Sequence, residues 1–459
     1  MGDIIRVIVA LLMIVSILII VQKKWYVPVG FMSIGIIVMI VLTIVTGTSV
    51  LPEEATSGNA FVDCFETISN AITQSLGSTG LVIMVVMGYV GYMTKIKAAE
   101  LFSIVLGKPL RHLKHKEILI VATFAITVIV KLAIPSGVSE VTLLLATVYP
   151  ILLAVGITNA TAAATFLVAI NMSIWGPANT LALTALSAAG LDNYSLPVYF
   201  VTKEVLPIVC MAIVGTITCI IVNKYFDKKE CIEVKTSDLP ELKGAKELGI
   251  PTFYAIFPVM PVVLIIIFSP IIQSYVTMSV VAANFLCFLI VTVIEGIRKH
   301  SITEALNDDK AMFEGMGNAF TRIVSVLIGI NVFSTALRAV GGLNILAKAF
   351  TNIGGTPTMI AIMGAVALFI LLVIGSSISG TLPIFCSLYP AFATSENELV
   401  NMVRITIFGG VGGALTPIAP TTLVVSEACD VPITRLMKRT LIPAVCCLIT
   451  EIIVCVLIG

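Results

Sequence analysis

Charge is scarce in this chain. Of 459 residues only 12% are Asp, Glu, Lys or Arg, against about 25% in an average soluble domain, and 58% are hydrophobic with a mean hydropathy of +1.09. A water-soluble fold of this length could not hide so much apolar surface, which leaves a polytopic membrane protein. The net charge is +1, so no nucleic-acid partner is implied. Histidine is nearly missing: His112, His115 and His300 all fall in charged loops, and no histidine metal site is visible. Ten cysteines are scattered, and most (Cys210, Cys219, Cys287, Cys386, Cys446, Cys447, Cys455) sit in apolar runs. There a thiol acts as a small hydrophobe rather than as part of a disulfide or metal framework. Catalytic signatures are lacking as well. The glycine-rich "GGVGGALTP" (409–417) has no Lys-Ser/Thr ending to cradle phosphate, and neither His-Glu-x-x-His nor Gly-x-Ser-x-Gly occurs. The longest loop, 223–250, has 28 residues, too few for an enzymatic domain. The expectation is a non-enzyme without a cofactor. Residues 4–21 are apolar but run into Lys23-Lys24 without a small-residue cleavage site, so they read as a retained first helix.

What the chain has is one part built twice. Residues 92–137 end in "VIVKLAIPSG" and residues 333–380 end in "LLVIGSSISG". Tyr92 to Gly137 is 45 positions and Phe333 to Gly380 is 47. Each half then has a second break, "NMSIWGPANT" (171–180) and "GGVGGALTPIAPTT" (409–422), and closes with "VLPIVC" (205–210) or "LIPAVC" (441–446). Paired, interrupted apolar segments are the best sequence pointer to the binding site of a secondary transporter.

Spanning runs appear at about 4–21, 26–47, 79–94, 197–222, 251–269, 276–296, 321–337 and 440–458. The run at 117–157 is too long for one helix and breaks at Pro135-Ser136-Gly137, which predicts a hairpin that returns to its own side with its tip inside the protein. The run at 356–394 does the same around Ser376–Gly380. Runs at 158–190 and 399–429 predict helices interrupted near the midplane. Of the 27 Lys and Arg residues, 21 fall in 22–24, 95–116, 223–250, 297–322 and 435–439. Counting crossings puts all five segments on one face, the cytoplasmic one, and the acidic loop 51–66 outside. The same count makes 79–94 run inward and 321–337 outward. The expected fold is therefore an all-α polytopic membrane protein of two inverted repeats, each with a re-entrant hairpin and an interrupted transmembrane helix. Its expected divisions are two helices and an outer loop (1–78), a first repeat (79–222), a cytoplasmic linker (223–250), scaffold helices (251–317) and a second repeat (318–459).

Non-helical backbone persists at membrane depth only when buried in protein or lining a wet cavity. Half-helix N-termini carry partial positive charge and offer N–H groups to anions, while freed carbonyls can hold a cation. The four breaks therefore supply candidate substrate contacts: Ser136, Gly137 and Ser139 at the first tip, Ser379, Gly380 and Thr381 at the second, Asn179 and Thr180 in the first interrupted helix, and Thr416 and Thr421 in the second. Glu140, Asn171, Ser377 and Pro417 are candidate ion or coupling positions. Each Ser, Gly and Pro taken singly also suits simple packing or kinking, and Asn179 also suits a helix cap. Glu140, an acid in an apolar run, is a proton or sodium ligand, the counter-charge of a substrate amine, or the ion-pair partner of Lys131. Glu427 reads as interfacial, Lys203 with Glu204 as an interfacial pair, and Arg404 as the outer end of its helix.

These strings place the chain beside a known family. "GYMTKIKAAELFSIVLGKPL" (91–110), "VTLLLATVYPILLAVGITNATAAA" (141–164), "VNKYFDKKE" (222–230), "PTFYAIFPVMPVV" (251–263), "LTPIAPTTLVV" (415–425) and "RLMKRTLIPAV" (435–445) occur in the order and spacing of the anaerobic four-carbon dicarboxylate carriers of the DcuC type, which the chain resembles over nearly its whole length. The resemblance implies uptake, exchange or efflux of fumarate, succinate, malate and related acids across a bacterial inner membrane. It also implies, through the wider ion transporter superfamily, a carboxylate site at hairpin tips and broken helices, sodium or proton coupling by symport or antiport, and a homodimer. The chain departs from the family pattern where Glu140 follows the first tip, and where "GGVGGALTP" holds no arginine. A monoanion, or an amino acid whose amine meets Glu140, is the alternative cargo on the same fold. A channel, with the breaks as a filter, is the alternative of another class. An intramembrane enzyme would need a catalytic pair, for which only Glu140 and Glu427 are available.

Overall fold

The computed structural model describes residues 2–458 apart from 24, 52–55, 78, 114, 135, 175, 178, 193, 231–244, 269–271, 273–275, 277, 343–344, 346–351, 353–354, 377 and 418. The expected all-helical, multi-pass architecture is what it shows: among the described residues there is no strand, and seven helices are long and apolar enough to cross a membrane.

The chain begins with helices α1 (Asp3–Gln22) and α2 (Val27–Thr46), the latter opened by Pro28 in its first turn and closed by Gly47 in the left-handed conformation. The acidic segment expected as a loop is helical from Ala60: α3 (Ala60–Gly77) buries a polar stripe of Asp63, Thr67 and Ser75 and exposes Phe61, Val62, Phe65 and Ile72. Asp63 organises the stretch before it, accepting from the hydroxyls of Ser49, Thr56 and Ser57 and from the Ser57 amide. After α4 (Thr79–Lys95) and α5 (Ala98–Gly107) comes the first hairpin, α6 (Lys116–Ala133), α7 (Gly137–Thr147) and α8 (Tyr149–Ala154). The first interrupted helix follows as α9 (Asn159–Met172) and α10 (Thr180–Ala188).

Helix α11 (Leu196–Lys229) has 34 residues and a π segment over Phe200–Glu204. At 1.5 Å per residue it is about 51 Å long, well beyond a hydrocarbon core of about 30 Å. It therefore takes up the first residues of the expected linker, of which 231–244 lie outside the described residues. The span expected at 251–269 is a shorter element, α12 (Thr252–Ile267), whose first half is a 3-10 helix; prolines 258 and 261 lie in it. Helices α13 (Val280–Lys299) and α14 (Ile302–Val340) complete the middle. Glycines let α14 lie against its neighbours: a Cβ on Gly315 would come within 2.9 Å of the Gly88 Cα on α4, and one on Gly329 within 2.6 Å of the Pro28 carbonyl on α2. Small residues at helix crossings are how membrane helices approach closely.

The second hairpin is α15 (Pro357–Ile374) and α16 (Ile378–Leu388). The second interrupted helix is α17 (Glu396–Phe408), continued by a 3-10 turn over Gly409–Leu415, then α18 (Pro420–Ala428). The last helix, α19 (Ile433–Ile458), starts earlier than the apolar run alone suggested. The hairpins and interrupted helices interlock: α10 of the first interrupted helix packs on α16 of the second hairpin, and α18 of the second interrupted helix packs on α7 of the first hairpin.

Buried Arg439 on α19 ties three elements together. Its Nη1 donates to Asp227 Oδ1 at 2.7 Å and to the Thr161 hydroxyl at 3.2 Å, and its Nη2 donates to Glu230 Oε2 at 2.9 Å. Thr158, the N-cap of α9, donates to the same Asp227 carboxylate. Burial pushes the Glu230 carboxyl up, but hydrogen bonds and charge from Arg435 and Arg439 reverse this and leave it below its ordinary value.

Candidate functional site

Each hairpin turns by a different local device. Helix α6 stops at Ile134, which leaves helical geometry just before a proline in the sequence. Ser136, in extended conformation, restarts the chain as the N-cap of α7; its Oγ accepts from the Ser139 amide at 3.4 Å and from the Ser139 hydroxyl at 3.2 Å. The two ends of this hairpin are joined, since Lys116 Nζ donates to the Gly156 carbonyl at 2.5 Å. In the second hairpin α15 closes on Gly375 at φ 111°, where an L side chain would be strained. Ser377, a candidate ion position, lies outside the described residues.

The interrupted helices break at polar stitches. Asn179 caps α10: its Oδ1 accepts from the amides of Leu181 (3.1 Å) and Ala182 (3.3 Å). In the second half the glycines of "GGVGGALTP" alternate in role. Gly409 and Gly412 press against α15, where a Cβ would come within 2.5 Å of the Ala365 carbonyl and 2.8 Å of the Phe369 carbonyl. Gly410 and Gly413 line a cavity instead. Thr416 then fastens the break to the second hairpin by donating to the Leu372 carbonyl at 2.7 Å.

All four breaks open onto that cavity of about 600 Å³, a volume in the range of small-molecule sites. Its wall includes the first turns of α7 (Gly137, Val138), α10 (Thr180, Leu181), α16 (Ile378, Ser379) and α18 (Pro420, Thr421). Four helix N-termini therefore converge on one space, each equivalent to about half a positive charge. Of the predicted residues, Ser136, Gly137, Asn171, Asn179, Thr180, Ser379, Thr416 and Thr421 line the cavity. Ser139, Glu140, Gly380, Thr381 and Pro417 do not; Glu140 and Thr381 are fully buried behind it. The Asn171 amide nitrogen is spent on the Leu167 carbonyl at 2.8 Å.

The Lys131–Glu140 pair is one of the expected readings of the acid; Lys203, Glu204 and Arg404 behave otherwise than expected. Lys131 lines the cavity, and its Nζ lies 3.0 Å from Glu140 Oε2. Glu204 forms no pair with Lys203: it is fully buried beneath the first interrupted helix. Its Oε2 accepts from the Gly176 amide at 2.8 Å and its Oε1 from Asn179 Nδ2 at 3.0 Å. The carboxylate thus satisfies a backbone donor that the break sets free. Lys203 turns away from it and donates to Asn401 Oδ1 at 2.9 Å. Arg404 does not mark a helix end at a surface; it is fully buried and donates to the Cys455 carbonyl at 2.6 Å. Glu427 is exposed, as the sequence suggests. The signal that could have found Glu204 was its place in an apolar run.

A helical membrane protein with hairpins and broken helices around one shared cavity has the build of a secondary transporter. More narrowly, the chain belongs to the DcuC family, described as C4-dicarboxylate anaerobic carriers, whose profile matches residues 1–458. It is 26% identical over 438 residues to the anaerobic C4-dicarboxylate transporter DcuC of Escherichia coli K12, covering 94% of this chain and 92% of that protein. It is 26% identical over 442 residues to the probable anaerobic C4-dicarboxylate transporter DcuC of Vibrio cholerae, covering 94% and 93%. The fold is shared with the Alcanivorax borkumensis YdaH transporter (TM-score 0.59, 16% identity, 93% of this chain and 97% of that one). It is shared also with Neisseria gonorrhoeae MtrF (TM-score 0.58, 15% identity, 93% and 94%).

Proposed function

We propose that this protein carries four-carbon dicarboxylates such as succinate, fumarate and malate across the bacterial inner membrane by alternating access, coupled to an ion or exchanging one acid for another. The observation that carries this reading is the convergence of four helix N-termini on a cavity whose only charged lining residue, among those described, is Lys131. Dipole ends and an ammonium suit carboxylates at both ends of a short dianion. Ser136, Thr180, Ser379 and Thr421 stand on that wall beside the N-termini. The reading includes the inverted arrangement of the two halves, supported by the matched hairpins and their crossed packing, and a homodimer, supported by the superfamily resemblance. An amine-bearing cargo loses its motive, because the acid proposed to meet it is already held by Lys131.

The test is uptake of labelled succinate into liposomes containing the purified protein, with fumarate, malate, citrate, aspartate, neutral amino acids and diamines as competitors. Saturable uptake, competed by four-carbon dicarboxylates and accelerated by internal succinate, is expected. Competition by amines or neutral amino acids but not by dicarboxylates would discard the reading, and conduction without saturation would indicate a channel.

A further inference from the structure

The cavity carries its positive charge in an unusual form. Lys131 sits in the last turn of α6 and bonds across the tip to Glu140 in the first turn of α7. The Glu140 side chain is fully buried and that of Lys131 is 12% exposed. One oxygen of the acid, Oε1, is buried without a hydrogen-bond partner. The side-chain pair is thus neutral when closed, and the only cation among the described lining residues is already matched by a carboxylate.

A second carboxylate arriving at Lys131 changes this balance. Three charges, two of them negative, would then crowd around one side-chain pair whose carboxylate is fully buried, which is costly unless one negative charge is removed. Among the described residues, the elements most closely packed against α7 carry no other cation near Glu140. Their charged and titratable groups, besides Lys131, are Glu100 on α5, Lys116 and Glu117 at the far end of α6, Tyr149 on α8 and Glu427 on α18.

We infer that Lys131 is the residue that grips one carboxylate of the substrate, and that it is released to do so when Glu140 takes a proton from solution, so that a proton travels with each substrate. This rests on the dicarboxylate reading above. In the empty site the Glu140 carboxylate holds the Lys131 ammonium. On loading, a proton adds to Glu140, the ion pair is lost, and the ammonium turns to the substrate carboxylate. No bond to carbon changes and nothing is oxidised. When the substrate leaves, the proton returns to solution and the pair closes again.

Calorimetry of succinate binding to the purified full-length protein, in buffers of different ionisation enthalpy, counts protons taken up. Wild-type protein is expected to take up a proton on binding, with affinity falling as pH rises. Glu140→Gln should bind with no proton uptake and no such pH dependence. Lys131→Met should lose affinity by roughly ten- to a hundredfold, the worth of a charge-assisted bond, and Lys131→Arg should recover part of it. The double variant Lys131→Met/Glu140→Gln removes both charges, so normal thermal unfolding with weak binding separates recognition from misfolding. Wild-type binding without proton uptake, proton uptake that survives in Glu140→Gln, or a sodium requirement in place of the proton would each overturn the inference. If wild-type protein binds no dicarboxylate at all, the substrate reading itself falls, which is a different result.

Discussion

Glu204 and Asn179 lie 25 positions apart in sequence and meet at 3.0 Å, the carboxylate of one accepting from the amide of the other beneath the first broken helix. Asn179 holds the start of α10 with its oxygen and Glu204 with its nitrogen. Thr440 occupies the equivalent place in the second half. Like Glu204 it stands three residues before a proline, and its hydroxyl donates to the Ala414 carbonyl at the second break, 3.1 Å away. Both breaks are thus braced by a later helix, the first by α11 and the second by α19.

Glu204→Ala should leave the Gly176 amide and the Asn179 side-chain nitrogen unpaired, at a cost of about 1–3 kcal/mol for each buried group. Glu204→Gln keeps an acceptor and should cost less. Thermal unfolding in detergent, paired with succinate uptake, checks the order wild type, Gln, Ala. Equal stability of all three would mean that the break does not depend on this acid.

The alternating glycines of the second break should separate by face. Gly412→Ala drives a methyl toward the Phe369 carbonyl on α15, and overpacking of this kind costs about 1–3 kcal/mol. Gly413→Ala meets the Asn171 side chain, which borders the cavity. The first variant should lower the unfolding temperature; the second should chiefly weaken succinate binding. Circular dichroism melts and binding assays on the pair distinguish the two effects.

Arg439→Met should destabilise the protein by about 3 kcal/mol, because it strips a buried cation from two carboxylates, and Arg439→Lys should fall between because it keeps the charge without the fork. Acid should act on the same contact. The Glu230 carboxyl is held below its ordinary value by Arg435 and Arg439, so this contribution is complete at neutral pH and is lost as pH falls through the lowered value. The melting temperature should drop on acidification less in Arg439→Met than in wild type.

The places where the chain stops being helical were legible in the sequence, because Ser, Gly and Pro carry their backbone preferences with them. Ser136, Asn179, Gly375 and Thr416 all fall where apolar runs break. The depth of charged groups was not legible. Glu204 and Arg404 lie in long apolar stretches whose ends can be surface or interior, and nothing local says how far a 34-residue helix overshoots the bilayer. Helix α3 was hidden for a related reason: it exposes Phe61 and Phe65 and buries Asp63, the reverse of the pattern that marks a helix in water. The Lys131–Glu140 contact was one of three readings of the acid, and spacing alone could not choose among them.

The crossed packing of the halves also has a consequence for synthesis. Helix α7 is covered by α18, which begins at Pro420, and α16 is covered by α10, made long before it. The second hairpin is born onto a finished surface, whereas the first leaves the ribosome with its covering helix still nearly the whole remaining chain away. A loop bearing serine, glutamate and lysine therefore has to be sheltered from hydrocarbon during most of translation, and the insertion machinery, or the water at the membrane face, must hold it until the last tenth of the protein arrives.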